Sequence, residues 1–217
     1  MGFLDLLFDN RCKICGDRLK SGAVCSKCDG ELKSLIYVRR CTFSVMGKEI
    51  EATYLFDYNS EIVKKLLFAL KRNASKELFC YAAKLYMVAL AGCTDTSVTY
   101  VPRRKLNVRL YGYDHVKEPT KILCKNDEGL CFVRLLRRCG FAQDQKNIKT
   151  AVDREKNVAD KFAVIKNDIP KNIVLLDDVV TTGSTVKACA RELLLKNPKV
   201  NLTFAFLASQ NRLSGVR

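Results

Sequence analysis

The sequence lacks any long apolar run. A helix that crosses a bilayer needs roughly 18 or more consecutive, mostly apolar residues; no part of the 217-residue chain offers them, so we expect no transmembrane helix. Residues 1–8 are apolar but are interrupted by Asp5 and lack the basic start of a secretory signal. Internal repeats and low-complexity segments are also missing. We therefore expect a cytoplasmic globular protein.

Acidic residues are scarce relative to basic ones. Lys and Arg total 38 and Asp and Glu total 23, which gives a formal net charge of +15 at pH 7. Such an excess favours anionic partners, with nucleic acid ahead of a phosphorylated sugar and a membrane surface last, although it can also simply serve solubility. The hydrophobic fraction of 48% is ample for a packed core and argues against disorder.

The chain is organised around residues 173–185. Residues 173–176 predict a short strand buried on both faces, and Asp177 and Asp178 follow at its carboxyl edge. A loop of threonines around one glycine comes next, and a helix is predicted to begin at Ser184. Ligands of open α/β sheets lie beyond the carboxyl ends of the strands, and a helix N-terminus binds phosphate. Carboxylates suit sugar hydroxyls or hydrated Mg²⁺, so this stretch predicts a site for a phosphorylated sugar.

The order of these residues resembles the 5-phosphoribosyl-1-diphosphate (PRPP) signature of the type I phosphoribosyltransferases. The resemblance implies that Mg²⁺-bound PRPP places its ribose 2- and 3-hydroxyls on the two acids and its 5-phosphate in the threonine loop. The implied PRPP-binding residues are Asp177, Asp178, Val179, Val180, Thr181, Thr182, Gly183, Ser184 and Thr185. If the protein is an enzyme, Asp177 and Asp178 are also its catalytic residues, because they position the ribose. A plain strand–turn–helix corner is the alternative.

Four cysteines form two C-x-x-C pairs, Cys12 with Cys15 and Cys25 with Cys28. Each short turn presents two thiolates to one ion, and Gly16 relaxes the backbone of the first turn. We interpret the four as a structural Zn²⁺ site, since four thiolates leave no open position for catalysis. A thioredoxin-like redox pair is the alternative, but it would leave the second cysteine pair unexplained.

The cysteine pairs define a small N-terminal module. We predict a zinc-ribbon-like module over residues 1–40 that folds around its metal, because so short a segment cannot bury a sufficient core. Residues 41–217 would form the second domain. The remaining thiols are expected to stay reduced. Cys41 is interpreted as a non-ligand thiol, and six others are predicted to be small core residues: Cys80, Cys93, Cys124, Cys131, Cys139 and Cys189.

Strand and helix patterns alternate after a basic linker. A hairpin is predicted within residues 41–58, and helices are predicted to begin near Ser60 and after Ser75. The predicted later strands cover residues 98–102, 130–136, 162–165, 173–176 and 200–207, with a helix between the last two. This alternation indicates an α/β fold with a mostly parallel sheet and helices on both faces, which is the type I phosphoribosyltransferase architecture.

Three cations, Arg103, Arg104 and Lys105, directly follow the predicted strand 98–102. Arginine binds phosphate oxygens in pairs, so cations at a strand end suit a diphosphate. In the phosphoribosyltransferases the corresponding loop binds the diphosphate of PRPP, and the resemblance assigns that role to these three residues.

Basic and aromatic residues elsewhere indicate a second anionic ligand. Several lysines crowd the polar face of the helix that begins near Ser60. A solvated face is the ordinary explanation and contact with nucleic acid is the more specific one. Lys and Arg would bind phosphates, and tyrosines would stack bases. The nucleic-acid candidates are Lys64, Lys65, Lys71, Arg72, Arg109, Tyr111 and Tyr113.

A further segment resembles the ComF-type competence proteins, a branch of the phosphoribosyltransferases. Gly112, Tyr113 and Asp114 align with the centre of that branch's Arg-Gly-Phe-Asn-Gln segment, whereas Tyr111 and His115 replace an Arg and the final Gln. Other landmarks of the branch are matched by Gln145, Arg154, Asn157 and Phe162. His115 is the only histidine and so invites a role as general base. Because no partner is visible in the sequence, we interpret it as a polar surface residue.

The resemblance covers nearly the whole chain and implies two alternative functions. In the first, the protein is a PRPP-binding competence factor that handles incoming single-stranded DNA on the cytoplasmic side, together with components of the uptake machinery. In the second, it is an active phosphoribosyltransferase that moves ribose 5-phosphate from PRPP to a nitrogen nucleophile. We find neither a base-binding hood nor a residue to activate a nucleophile, which favours the first.

Overall fold

The computed structural model describes residues 10–139 and 162–210. Its strands are β1 (Arg39–Val45), β2 (Lys48–Asp57), β3 (Thr96–Tyr100), β4 (Leu130–Phe132), β5 (Leu136–Arg138), β6 (Phe162–Val164), β7 (Asn172–Val180) and β8 (Asn201–Ser209). Its helices are α1 (Ser26–Leu35), α2 (Glu61–Arg72), α3 (Lys76–Ala89), α4 (Lys105–Tyr111), α5 (Lys117–Asn126) and α6 (Ser184–Lys196). The predicted landmarks Gln145, Arg154 and Asn157 lie outside these residues. In the described part of the chain, no helix is both long and apolar enough to span a membrane.

Six of the strands form one sheet, in the order β1-β2-β8-β7-β3-β4. Only the β1–β2 hairpin is antiparallel; the other four neighbouring pairs are parallel. Strands β5 and β6 form a separate antiparallel pair. Parallel neighbours need long crossover connections, which the helices supply. The predicted α/β class with a mostly parallel sheet is confirmed.

Strand β7 is buried on both faces because its side chains alternate between two apolar clusters. Val174 and Leu176 pack with α2, α3 and α5, whereas Ile173 and Leu175 pack with α6 on the opposite face. Helices therefore cover both faces of the sheet, as predicted. Burial of the strand on both sides holds its carboxyl end, which carries the acid pair, in a fixed position.

The cysteine segment packs onto the core of the larger domain. Cys12, Cys28 and Leu32 belong to the same buried cluster as the apolar faces of α2 and α3. The Tyr81 hydroxyl of α3 donates a hydrogen bond to Asp29 of α1 at 3.0 Å. The first pair of cysteines lies in turns, and the second pair lies at the start of α1. The division into two domains at residue 40 stays a prediction.

Three local predictions differ from the structure. Residues 130–136 do not form one strand, because the chain leaves β3 after Val133 and pairs with β6 instead. Strand β7 continues through the acid pair to Val180. Among the six cysteines assigned to the core, only Cys189 is buried, and Cys131 is exposed. A thiol is small, so leaving it at the surface costs little.

Candidate functional site

The loop between β7 and α6 presents hydroxyl groups to solvent at the start of a helix. Thr181, Thr182 and Ser184 are exposed, and the backbone N–H of Ser184 donates to Thr182 Oγ1 at 3.4 Å. Helix α6 begins at Ser184, so the positive end of its dipole lies beside these hydroxyls. Hydroxyls and helix-terminal N–H groups together fit one phosphate group.

Gly183 lets this loop lie directly against β1. Its φ of +75° is in the left-handed region, and a Cβ at this position would lie 2.5 Å from the Phe43 ring. That ring is held in turn by edge-to-face packing with Phe204 and Phe206, at centroid distances of 5.7 and 6.2 Å. Only glycine fits both the backbone conformation and the space.

We expect Gly183→Ala to destabilise the protein by about 1–3 kcal/mol, from the strained backbone together with displacement of Phe43. Urea unfolding measures the change. Gly47→Ala is the matched control, because Gly47 also has a positive φ of 76° but has no atom within 4 Å of the added Cβ. Equal losses in the two variants would show that contact with Phe43 contributes nothing.

Asp178 is buried between two basic side chains. It is 6% exposed, and its Oδ2 lies 2.7 Å from Lys71 Nζ and 3.3 Å from His115 Nε2. Burial alone would raise the pKa of Asp178, but Lys71 and His115 outweigh burial and hold this pKa below its ordinary value. Asp178 is therefore a charged carboxylate at neutral pH.

The pKa of Asp177 is shifted in the opposite direction to that of Asp178. Asp177 Oδ1 accepts the N–H of Asp178 at 2.9 Å, and the buried Tyr86 hydroxyl donates to the Asp177 backbone carbonyl at 3.0 Å. Burial and the neighbouring charge of Asp178 raise the pKa of Asp177 well above its ordinary value. The pair thus places a charged acceptor beside a carboxyl group that keeps its proton more readily. That arrangement suits hydroxyl groups, which both donate and accept.

His115 is not a surface residue, contrary to the prediction. It is 8% exposed and lies against Asp178. Its position is set by Asp114, whose Oδ1 accepts the N–H of Val116 at 3.1 Å and whose Oδ2 accepts the N–H of Arg103 at 2.9 Å. The prediction failed because the partner of His115 is distant in sequence, and only packing brings the two together.

The three predicted diphosphate cations separate in the structure. The Arg103 guanidinium donates to the backbone carbonyls of Lys71 at 2.6 Å and Tyr113 at 3.2 Å, so it ties the end of α2 to the loop before α5. Arg104 and Lys105 are exposed at the start of α4. Their role in binding diphosphate stays a prediction.

Arg138 of β5 is a further cation, to which sequence reasoning assigned no role. Its guanidinium lies 4.9 Å from the centre of the Phe162 ring. Burial and the charge of Arg104 lower the pKa of Arg138, whereas the charge of Asp177 opposes this effect. Arg138 Nη1 donates to the backbone carbonyl of Pro102 at 3.5 Å, which places Arg138 beside the end of β3. The sequence showed this arginine at the end of an apolar run, but the break between β4 and β5 decides where it points.

The predicted nucleic-acid residues lie in different surroundings, and their role in binding nucleic acid stays a prediction. Tyr113 packs edge-on against Phe79 at 5.2 Å, and its hydroxyl accepts the N–H of Ala74 at 3.0 Å. Arg72 lies 6.0 Å from the centre of the Tyr111 ring and 5.2 Å from that of the Phe68 ring. Arg109 is exposed on α4. The remaining three residues, Lys64, Lys65 and Lys71, line a groove along α2.

The four cysteines of the N-terminal segment converge on one point. Their Sγ atoms lie within 4.8 Å of one another, and the N–H groups of Cys25 and Cys28 donate to Sγ atoms of Cys12 and Cys25 at 3.3 and 3.5 Å. Sulfurs about 2.3 Å from a shared tetrahedral ion have this kind of separation.

Thiol acidity in the cluster also fits a metal. Burial and the neighbouring Cys25 and Cys15 side chains raise the pKa of Cys28. Burial opposes ionisation of Cys12 as well, but backbone N–H groups lower its pKa to about 7. Four crowded thiols become four thiolates only beside a cation. The predicted four-cysteine cluster that could hold a metal such as zinc is confirmed.

Comparisons with known proteins found both a sequence relative and structural matches. No family model matches the chain. It is 24% identical over 205 residues to Competence protein F of Haemophilus influenzae. The aligned region covers 88% of this chain and 86% of that protein. This match confirms the resemblance to competence proteins that the sequence indicated.

Two of the structural matches are phosphoribosyltransferases. One is a hypoxanthine phosphoribosyltransferase from Staphylococcus aureus, 15% identical, covering 71% of this chain and 70% of that one with a TM-score of 0.30. The other is the Helicobacter pylori xanthine-guanine-hypoxanthine phosphoribosyltransferase, 13% identical, covering 72% and 88% with a TM-score of 0.30.

Proposed function

We propose that this chain is a ComF-type protein with a phosphoribosyltransferase-like domain that binds Mg²⁺-PRPP and handles single-stranded DNA in natural transformation. One observation carries the proposal: the charged Asp178 and the protonatable Asp177 stand directly before a hydroxyl-lined loop at the start of α6. Acids beside a phosphate-binding loop complement a sugar that carries both hydroxyls and a phosphate.

The ligand's groups are assigned to separate parts of the site. Asp177 and Asp178 accept hydrogen bonds from the ribose hydroxyls, and the loop from Thr181 to Thr185 takes the 5-phosphate. We assign the diphosphate, which would arrive with its own Mg²⁺, to Arg104, Lys105 and Arg138. The four cysteines hold Zn²⁺, which fixes the N-terminal segment on α2 and α3.

The role in DNA handling has separate support. The chain is similar to Competence protein F of Haemophilus influenzae, and its formal charge of +15 favours a polyanion. Lysines line a groove on α2. A cytoplasmic location and contacts with the uptake machinery belong to the same proposal.

The test measures the affinity of the full chain for both ligands. A labelled oligothymidylate is titrated at about 50 and 200 mM salt, and Mg²⁺-PRPP binding is measured by calorimetry with ribose 5-phosphate as the comparison ligand. We expect oligonucleotide affinity to fall steeply with salt, and PRPP to bind more tightly than ribose 5-phosphate. Absence of PRPP binding would refute the site assignment, and absence of oligonucleotide binding at low salt would refute the DNA role.

Transfer of the sugar is a second candidate function, favoured by the position of His115 against Asp178. In that reaction the bond from C1 to the diphosphate oxygen breaks, a bond from C1 to an amine nitrogen forms, and the nitrogen loses a proton. Release of diphosphate from PRPP in the presence of amine acceptors is the measurement. The imidazole of His115, whose Nε2 lies 3.3 Å from Asp178 Oδ2, is the candidate acceptor of that proton.

A further inference from the structure

A basic groove lies between the first cysteine turn and α2, and one of its lysines, Lys71, also contacts Asp178 of the acid pair. Four lysines and two aromatic residues line it: Lys13, Tyr58, Lys64, Lys65, Phe68 and Lys71. The cavity volume is about 540 Å³. One wall comes from the first cysteine turn and the other from α2, so the groove exists only where the two segments are packed together.

The lining of the groove fits a single-stranded polynucleotide. Lysine ammonium groups bind successive phosphates, and aromatic faces stack unpaired bases. Phe68 is 60% exposed, which leaves its ring accessible to a base. Lys64 forms an ion pair with Glu61 at 2.8 Å, but this pair is at the surface and contributes little to holding the lysine in place.

Lys71 belongs to both the groove and the acid pair. Its side chain is 40% exposed, and its Nζ lies 2.7 Å from Asp178 Oδ2, the oxygen that also faces His115. The Lys71 ammonium is therefore paired with the same carboxylate that would bind the ribose hydroxyls of PRPP in the proposed function. A phosphate in the groove and the carboxylate of Asp178 compete for the same cation.

We infer that Lys71 couples the two sites, so that a single strand in the groove draws Lys71 away from Asp178 and strengthens PRPP binding. This inference rests on the proposed function. Lysine has a long, flexible side chain and can exchange partners without a change in the backbone. Asp178 keeps His115 as a partner after the exchange, so the carboxylate is not left bare. Binding free energies couple reciprocally, so PRPP must strengthen strand binding by the same factor.

The experiment is a two-ligand cycle on the full chain. Mg²⁺-PRPP affinity is measured with and without a saturating oligothymidylate, and oligothymidylate affinity with and without saturating Mg²⁺-PRPP. We expect each ligand to tighten the other about 5- to 10-fold, within the usual range of coupling. In Lys71→Met both ligands should still bind, and the coupling factor, by which one ligand tightens the other, should fall to about 1.

Lys65→Met is the matched control. Lys65 lines the same groove on the same helix. Loss of the Lys65 ammonium should weaken oligonucleotide binding but leave the coupling factor unchanged. Lys71→Arg provides a second variant that keeps a cation at the position, and circular dichroism verifies that each variant is folded.

The outcomes separate the inference from the function beneath it. If PRPP does not bind the wild-type chain, the proposed function fails. If both ligands bind wild-type protein independently, the inference fails while the proposed function stands. Coupling that persists in Lys71→Met, or PRPP binding without any oligonucleotide binding, also overturns the inference.

Discussion

Asp177→Asn combined with Asp178→Asn is expected to reduce Mg²⁺-PRPP affinity by at least about 100-fold. A hydrogen bond to a charged group contributes about 1.5–3 kcal/mol, and each 1.4 kcal/mol corresponds to a factor of ten in affinity. The double variant weakens one such bond, from a ribose hydroxyl to the charged Asp178, and a second, weaker one to Asp177, whose pKa is raised. Calorimetric titration of the double variant with Mg²⁺-PRPP measures the effect.

The single variants should differ because the two acids differ. Asp178→Asn removes the charge that Lys71 and His115 face, so it should lower both PRPP affinity and stability, whereas Asp177→Asn should mainly lower affinity. Asp168→Asn is the control, since Asp168 is exposed in the turn before β7. PRPP binding at wild-type strength in the double variant would refute the assignment of the site.

Cys12→Ser combined with Cys28→Ser is expected to abolish zinc binding and to lower the melting temperature by about 10 °C or more. Structural zinc contributes about 10–16 kcal/mol of binding free energy in small peptides, and 1 kcal/mol shifts the melting temperature of a chain this size by about 2–4 °C. The loss should spread beyond the N-terminal segment, because Leu32 and Cys28 share a core with α2 and α3.

Two measurements test this prediction: metal content by mass spectrometry, and melting curves recorded with and without chelator. Cys131→Ser is the control, because Cys131 is an exposed thiol outside the cluster, and this variant should keep one zinc and its stability. Wild-type protein that is purified without zinc, and that melts identically in chelator, would contradict a structural metal.

Features encoded by neighbouring residues were predictable from the sequence. The strand, acids, loop and helix of residues 173–185 lie in one continuous segment, so hydrophobic pattern and turn residues were enough to place them. The cysteine pairs could also be recognised from the sequence, since each C-x-x-C turn brings its own two sulfurs together. The alternation of strands and helices predicted the parallel sheet with helices on both faces, which the structure confirms.

The partners of individual polar side chains required the tertiary structure. Lys71 lies in the last turn of α2 and His115 precedes α5, and nothing local to either residue indicates that both face Asp178 on β7. Arg103 reads as a phosphate-binding cation, yet its guanidinium bonds two backbone carbonyls. Sequence periodicity reports which face of an element is buried. Which charged groups meet across elements depends on how those faces pack, so the chemistry around Asp178 was decided only by the fold.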